Sequence, residues 1–179
     1  PTMAADVRAF LDAHDIARAS VIGHSMGGKV AMELALGTPE RIDRLVVVDI
    51  APRAYPPRHQ SILKALQAID PTRYDSRQAI DEALAAYIPE MPIRQFLLKN
   101  LQFDPATRRY TWQMDLEGLM RSYDRINAPI ANGRQFTGPT LFVKGERSDY
   151  ITDEDLPAIR QLFPAARLVT IPGAGHWVH

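Results

Sequence analysis

Apolar residues recur at helical spacing at Met3, Val7, Phe10 and Leu11, which predicts an amphipathic helix with Thr2 as its cap. Ala19-Ser20-Val21-Ile22-Gly23 is short, apolar and β-branched, and predicts a buried strand. Met26 to Leu36 returns to helix formers, and Gly37-Thr38-Pro39 stops them. Leu45-Val46-Val47-Val48-Asp49-Ile50 predicts a second buried strand with a carboxylate at its carboxyl end. Strand, helix and strand in this spacing form a βαβ unit and therefore a parallel sheet. The same texture resumes with a strand at Thr140 to Lys144, a helix from Asp153 to Phe163 and a last strand at Arg167 to Ile171.

Between these regions the pattern is mainly helical. Ile62, Leu63, Leu66 and Ile69 share one stripe, and Ser76 precedes a helix carrying Ile80, Leu84, Tyr87 and Ile88. Pro92 suits the first turn of a helix bearing Ile93, Phe96, Leu97 and Leu101. Tyr110, Trp112 and Met114 alternate with polar residues as a short strand does, and Leu116, Leu119, Met120 and Tyr123 return to helical spacing. The expected organisation is an α/β core from residues 1–52 and 137–179, interrupted by a mainly helical lid over 53–136. Phe96, Leu97, Trp112 and Tyr123 are candidates to line a substrate pocket there, beside the plainer role of packing the insertion itself.

Composition narrows the function. Among 179 residues, Lys+Arg 21 balance Asp+Glu 21, and no basic block offers the clustered charge that nucleic acid requires. No apolar run approaches the roughly 18 residues of a membrane span. Cysteine is absent, which excludes disulfides, thiolate chemistry and Cys-based zinc sites and fits a reducing, cytoplasmic setting. Pro1 opens without a charged n-region or apolar h-region, so no secretory signal is read there.

One motif carries chemistry. Gly23-His24-Ser25-Met26-Gly27-Gly28 matches G-x-S-x-G between a predicted strand and a predicted helix, the context in which a serine is forced onto a strained turn at a sheet edge. Glycines two before and two after the serine are expected to let neighbouring chain pass. The Met26 backbone N–H, at the helix N-terminus, is then aimed where an oxyanion would form. A nucleophilic serine needs a base, and the base needs an orienting acid. His176 is the candidate base, because Gly173-Ala174-Gly175 ahead of it can bring an imidazole over the sheet edge. His14, His59 and His179 sit less favourably, and His24 occupies a position suited to packing or hydrogen bonding. Two carboxylates compete as the acid: Asp49, ending the strand next to the serine's, and Asp149, after the strand that follows the insertion. Such a triad needs no cofactor, and no metal-ligand cluster is visible.

At these residues the sequence resembles the α/β-hydrolase superfamily, and within it the small esterases of the bacterial YbfF and mitochondrial ABHD11 type. The resemblance runs through Gly23-His24-Ser25-Met26-Gly27-Gly28-Lys29, Val48-Asp49-Ile50-Ala51-Pro52, Gln95-Phe96-Leu97-Leu98-Lys99-Asn100-Leu101 and Gly173-Ala174-Gly175-His176-Trp177-Val178-His179. It implies an α/β-hydrolase fold, ester or thioester substrates, and Asp49 as the acid, with Asp149 at the superfamily's commoner position as the alternative. It also implies four strands before this chain's first, a loop carrying a second oxyanion N–H, and a helix after His176. The chain is therefore expected to be part of a longer protein and not a competent esterase alone, since losing one oxyanion donor costs about 2.7–4 kcal/mol. The same three residues also serve cofactor-free peroxidation or C–C hydrolysis on this fold, and a non-catalytic ligand-binding role is the alternative of another class. An aspartate-nucleophile hydrolase is disfavoured by Ser25.

Overall fold

The computed structural model describes residues 2–130 and 133–178; His179 lies outside them. The chain divides into two compact units, one of residues 1–54 and 128–179 and one of Tyr55–Asn127.

In the first unit, α1 (Thr2–Ala13) takes Thr2 into its opening turn instead of leaving it as a cap. β1 (Ala19–His24), α2 (Met26–Gly37) and β2 (Ile42–Val48) form the expected βαβ unit. Downstream in this unit lie the strand Thr140–Gly145, the short helix Leu156–Leu162 and the strand Ala166–Ile171. The first strand pairs with the second, the second with Thr140–Gly145, and that one with Ala166–Ile171, all parallel. Every strand thus presents its carboxyl end at one edge, where ligands of open α/β sheets bind.

Helix α2 packs on the sheet face that carries Leu45, Val47 and Phe142, all buried, and Phe163 meets Phe142 edge-to-face at 5.7 Å. The opposite face differs from expectation. Ile22 is 73% exposed, so β1 is a strand buried on one side only. Apolar runs report strand formation, whereas burial depends on which elements cover each face. Likewise only Leu11 of the α1 stripe is buried, and Phe10 lies exposed against His14.

The second unit holds α3 (Gln60–Ala68), α4 (Arg77–Ala85), α5 (Met91–Leu97), the hairpin β3 (Leu101–Asp104) and β4 (Arg109–Trp112), and α6 (Leu116–Asn127). In chain order the three elements noted downstream are β5 (Thr140–Gly145), α7 (Leu156–Leu162) and β6 (Ala166–Ile171). Ser76 caps α4, its Oγ accepting from the Ala79 N–H. Leu66, Ile80, Leu84, Leu97 and Leu98 form a core of the unit's own. Leu101, expected to continue a helix, instead starts β3 and pairs with Trp112. Asp104 turns the hairpin by accepting from the Ala106 N–H and the Thr107 hydroxyl, a local signal stronger than the helical spacing before it.

The expected 53–136 boundary also shifts. Ile130 N–H donates to the Pro52 carbonyl and Phe136 N–H to the Leu162 carbonyl, so Ile130 and Phe136 belong with the first unit. Among the described residues no helix is long and apolar enough to cross a membrane.

Candidate active site

Ser25 follows β1 directly and caps α2 with φ 53° and ψ −121°, a region that L-residues rarely occupy. The turn is held by Ser25 N–H donating to the Val48 carbonyl at 3.0 Å and Gly28 N–H to the Ser25 carbonyl at 2.8 Å. A Cβ on Gly23 would lie 2.2 Å from the Gly27 carbonyl oxygen, so the crossing requires glycine there. The expectation for Gly27 is corrected: a Cβ at Gly27 meets nothing within 4 Å, and the second tight position is Gly28, 2.5 Å from Ile50 Cγ2. Met26 N–H is the first amide of α2, which helix geometry leaves without an intrahelical acceptor.

Asp49 follows β2 with φ 50° and a fully buried side chain. Its Oδ1 accepts from the Gly145 N–H at 3.0 Å, while Oδ2 accepts from the Ser148 hydroxyl and faces His176 Nδ1 at 2.8 Å. Burial pushes the Asp49 carboxyl up, but the bonds from His176, Ser148 and the Gly145 amide outweigh it and hold it below its ordinary value. The group is therefore a carboxylate at neutral pH, an acceptor for an imidazole N–H.

His176 comes from the loop after β6, and its Nε2 stands 3.0 Å from Ser25 Oγ. Ser25, Asp49 and His176 thus form one continuous hydrogen-bonded line. Gly145 makes the approach possible, since a Cβ on it would lie 2.1 Å from the Gly175 carbonyl oxygen. His24 Nε2 is 2.9 Å from the His176 carbonyl; a carbonyl only accepts, so the proton resides on that nitrogen.

Asp149, the alternative acid, is exposed, and its carbonyl accepts from the Arg53 guanidinium at 3.0 Å. The loop's contribution to the site is its neighbour Ser148, a residue that sequence reasoning missed because a single serine in Gly145-Glu146-Arg147-Ser148-Asp149 has no distinguishing spacing. The four pocket candidates all fall in the second unit. Leu97 is in that unit's core, Trp112 packs against it with its indole N–H on the Ile69 carbonyl, Tyr123 accepts from the His59 N–H, and Phe96 is 44% exposed.

A parallel sheet with flanking helices and a serine turn at its carboxyl edge defines the class, and the sequence pattern of the α/β hydrolase fold family matches residues 1–179. The chain belongs to that family. It is 38% identical to the mouse protein named sn-1-specific diacylglycerol lipase ABHD11, over 99% of this chain and 59% of that one. It is 36% identical to Esterase YbfF of Escherichia coli (strain K12), over 100% of this chain and 68% of the other. Among solved structures it is similar to a marine microorganism esterase, with TM-score 0.93 and 39% identity over 99% of this chain and 70% of that one. The chain thus spans less than two thirds of the mouse lipase it matches.

Proposed function

We propose that this chain carries the centre of a serine hydrolase that cleaves carboxylic esters or thioesters of small to medium acyl groups through an acyl-enzyme on Ser25. The observation that carries the reading is the two-sided bonding of one imidazole, 3.0 Å to Ser25 Oγ and 2.8 Å to the buried Asp49 carboxylate. The relatives named esterase and lipase support the ester class.

Ser25 Oγ attacks the acyl carbon while His176 Nε2 takes its proton, and Asp49 holds the tautomer with hydrogen on Nδ1 and offsets the charge of the imidazolium. The tetrahedral oxyanion accepts from the Met26 N–H. Collapse breaks the bond to the leaving group, which departs as alcohol or thiol with the proton from His176. Water, deprotonated by the same nitrogen, then attacks the acyl-serine; the acid leaves and Ser25 regains its proton. Ser148 keeps the Asp49 oxygen that faces His176 in place.

The test is exposure to a fluorophosphonate probe followed by intact-mass measurement, with Ser25→Ala alongside. Both are made as the full-length protein, and one phosphonyl adduct on the native protein with none on the variant is the expected result. A folded full-length protein that takes no label, or a variant that labels equally, would overturn the reading. Ester and thioester panels of graded acyl length then define the substrate.

A further inference from the structure

The bonds to Ser25 and Asp49 lie at the edge of the His176 ring. They fix where the two nitrogens point but leave the ring soft to tilting about the line that joins them. The face of the ring is held by something else. Tyr150 lies parallel to it, with ring centroids 3.9 Å apart and planes inclined by 20°.

Tyr150 stands on the loop after β5, two residues beyond Ser148, and its own N–H donates to Ser148 Oγ at 3.3 Å. That hydroxyl donates onward to Asp49. The carbonyl between them, Asp149's, is anchored by Arg53. One short stretch therefore braces the acid through a hydroxyl and the base through an aromatic face. Among the described residues the other groups around the imidazole are Asp49, Ser25, the His24 ring at 4.8 Å, which is tilted, and the Trp177 ring at 6.1 Å, which meets it edge-on. Only Tyr150, among the described residues, is stacked on it.

We propose that Tyr150 is a positioning residue for the reaction: its ring face fixes the tilt of His176 and stabilises the imidazolium formed as Ser25 attacks. The inference rests on the serine hydrolase reading above. Asp49 compensates the new charge in the plane of the ring, where the hydrogen bond lies. An aromatic face compensates it from the perpendicular direction, where its negative quadrupole is presented.

The experiment, on the full-length protein, compares the native sequence with Tyr150→Phe, which keeps the face, and with Tyr150→Leu and Tyr150→Met, which remove it in two shapes so that one non-aromatic variant retains the fold. Three quantities are read: the rate constant of fluorophosphonate labelling at Ser25, the chemical shifts of the His176 ring protons, and the thermal midpoint. Tyr150→Phe is expected to stay within about twofold of native, while the non-aromatic variants label about five- to tenfold more slowly, the range a cation–π contact supplies. The upfield shift that a stacked ring imposes on His176 should persist in Tyr150→Phe and vanish in the other two, with thermal midpoints unchanged. Native labelling rates in a folded non-aromatic variant would overturn the proposal, as would a Tyr150→Phe variant as slow as Tyr150→Leu. A full-length native protein with the upfield shift but no labelling would instead sink the hydrolase reading, and the catalytic role of the stack with it.

Discussion

Asp49 is buried, bent into a left-handed backbone conformation and still ionised, three features that each cost free energy in isolation. What makes them compatible is a full set of donors: the Gly145 amide, the Ser148 hydroxyl and the His176 imidazole. Asp49→Asn can accept at only one of its two side-chain positions and presents an N–H₂ at the other. On the serine hydrolase reading proposed above, we expect it to lower kcat of the full-length protein about a thousand- to ten-thousandfold by upsetting the His176 tautomer. Asp149→Asn should leave turnover unchanged, and steady-state kinetics on an activated ester separates the two. Because the folded Asp49 titrates below its ordinary 3.8, its contribution to stability is complete above that pH and is lost as pH falls through the lower folded value. Urea midpoints between pH 2 and 6 should fall more steeply for the native chain than for Asp49→Asn. At this scale the sequence was legible wherever a residue had a motif or a unique loop around it, as Ser25 and His176 do. Ser148 was not legible, because its value comes from a carboxylate 99 positions away.

Among the elements, the turn between β1 and α2 shows how similar residues do different work. Gly23→Ala places a methyl group against backbone that cannot withdraw without opening the turn, and should cost about 2–3 kcal/mol. Gly27→Ala enters open space in the first turn of α2 and should stabilise the chain by about 0.5 kcal/mol, because alanine loses less entropy in a helix. Denaturant midpoints of the two variants should move in opposite directions. The spacing that reads G-x-S-x-G announces the turn but does not say which glycine is sterically required, since that depends on Ile50 and on the return of the α2 backbone. The strands that form the sheet were legible for the same reason as the turn: each is a compact apolar run ended by small or polar residues. The β3–β4 hairpin was half legible. Alternation revealed β4, while β3 was absorbed into the helical stripe of Leu97 and Leu101 and is distinguished only by the Asp104 turn after it.

For the molecule as a whole, the α/β fold was legible because strand and helix texture returns after the insertion, while the exact division was not, because no periodicity around Ile130 and Phe136 marks these two as part of the first unit. Lys29 gives this return a titratable signature. Its side chain, 8% exposed, donates to the Ala128 carbonyl at 2.5 Å. Burial, with the Arg53 charge adding to it and Glu33 opposing, lowers its pKa from 10.5 to about 8. Between those values the unfolded chain holds a proton that the folded chain has released, so stability gains a component that rises with pH over that range. Lys29→Met should remove that component, which thermal midpoints measured from pH 7 to 10 would show.

The line from Ser25 to His176 spans 151 positions, and the whole second unit, Tyr55–Asn127, is threaded between the acid and the base. A ribosome making this chain therefore produces Ser25 and Asp49 well before His176, with the whole second unit in between. On the serine hydrolase reading proposed above, the emerging polypeptide holds Ser25 throughout that interval without the base that would take its proton, so a half-made chain is silent toward acyl compounds. On the same reading, onset of reactivity marks the moment at which synthesis has passed β6 and the loop carrying His176 has closed over the sheet.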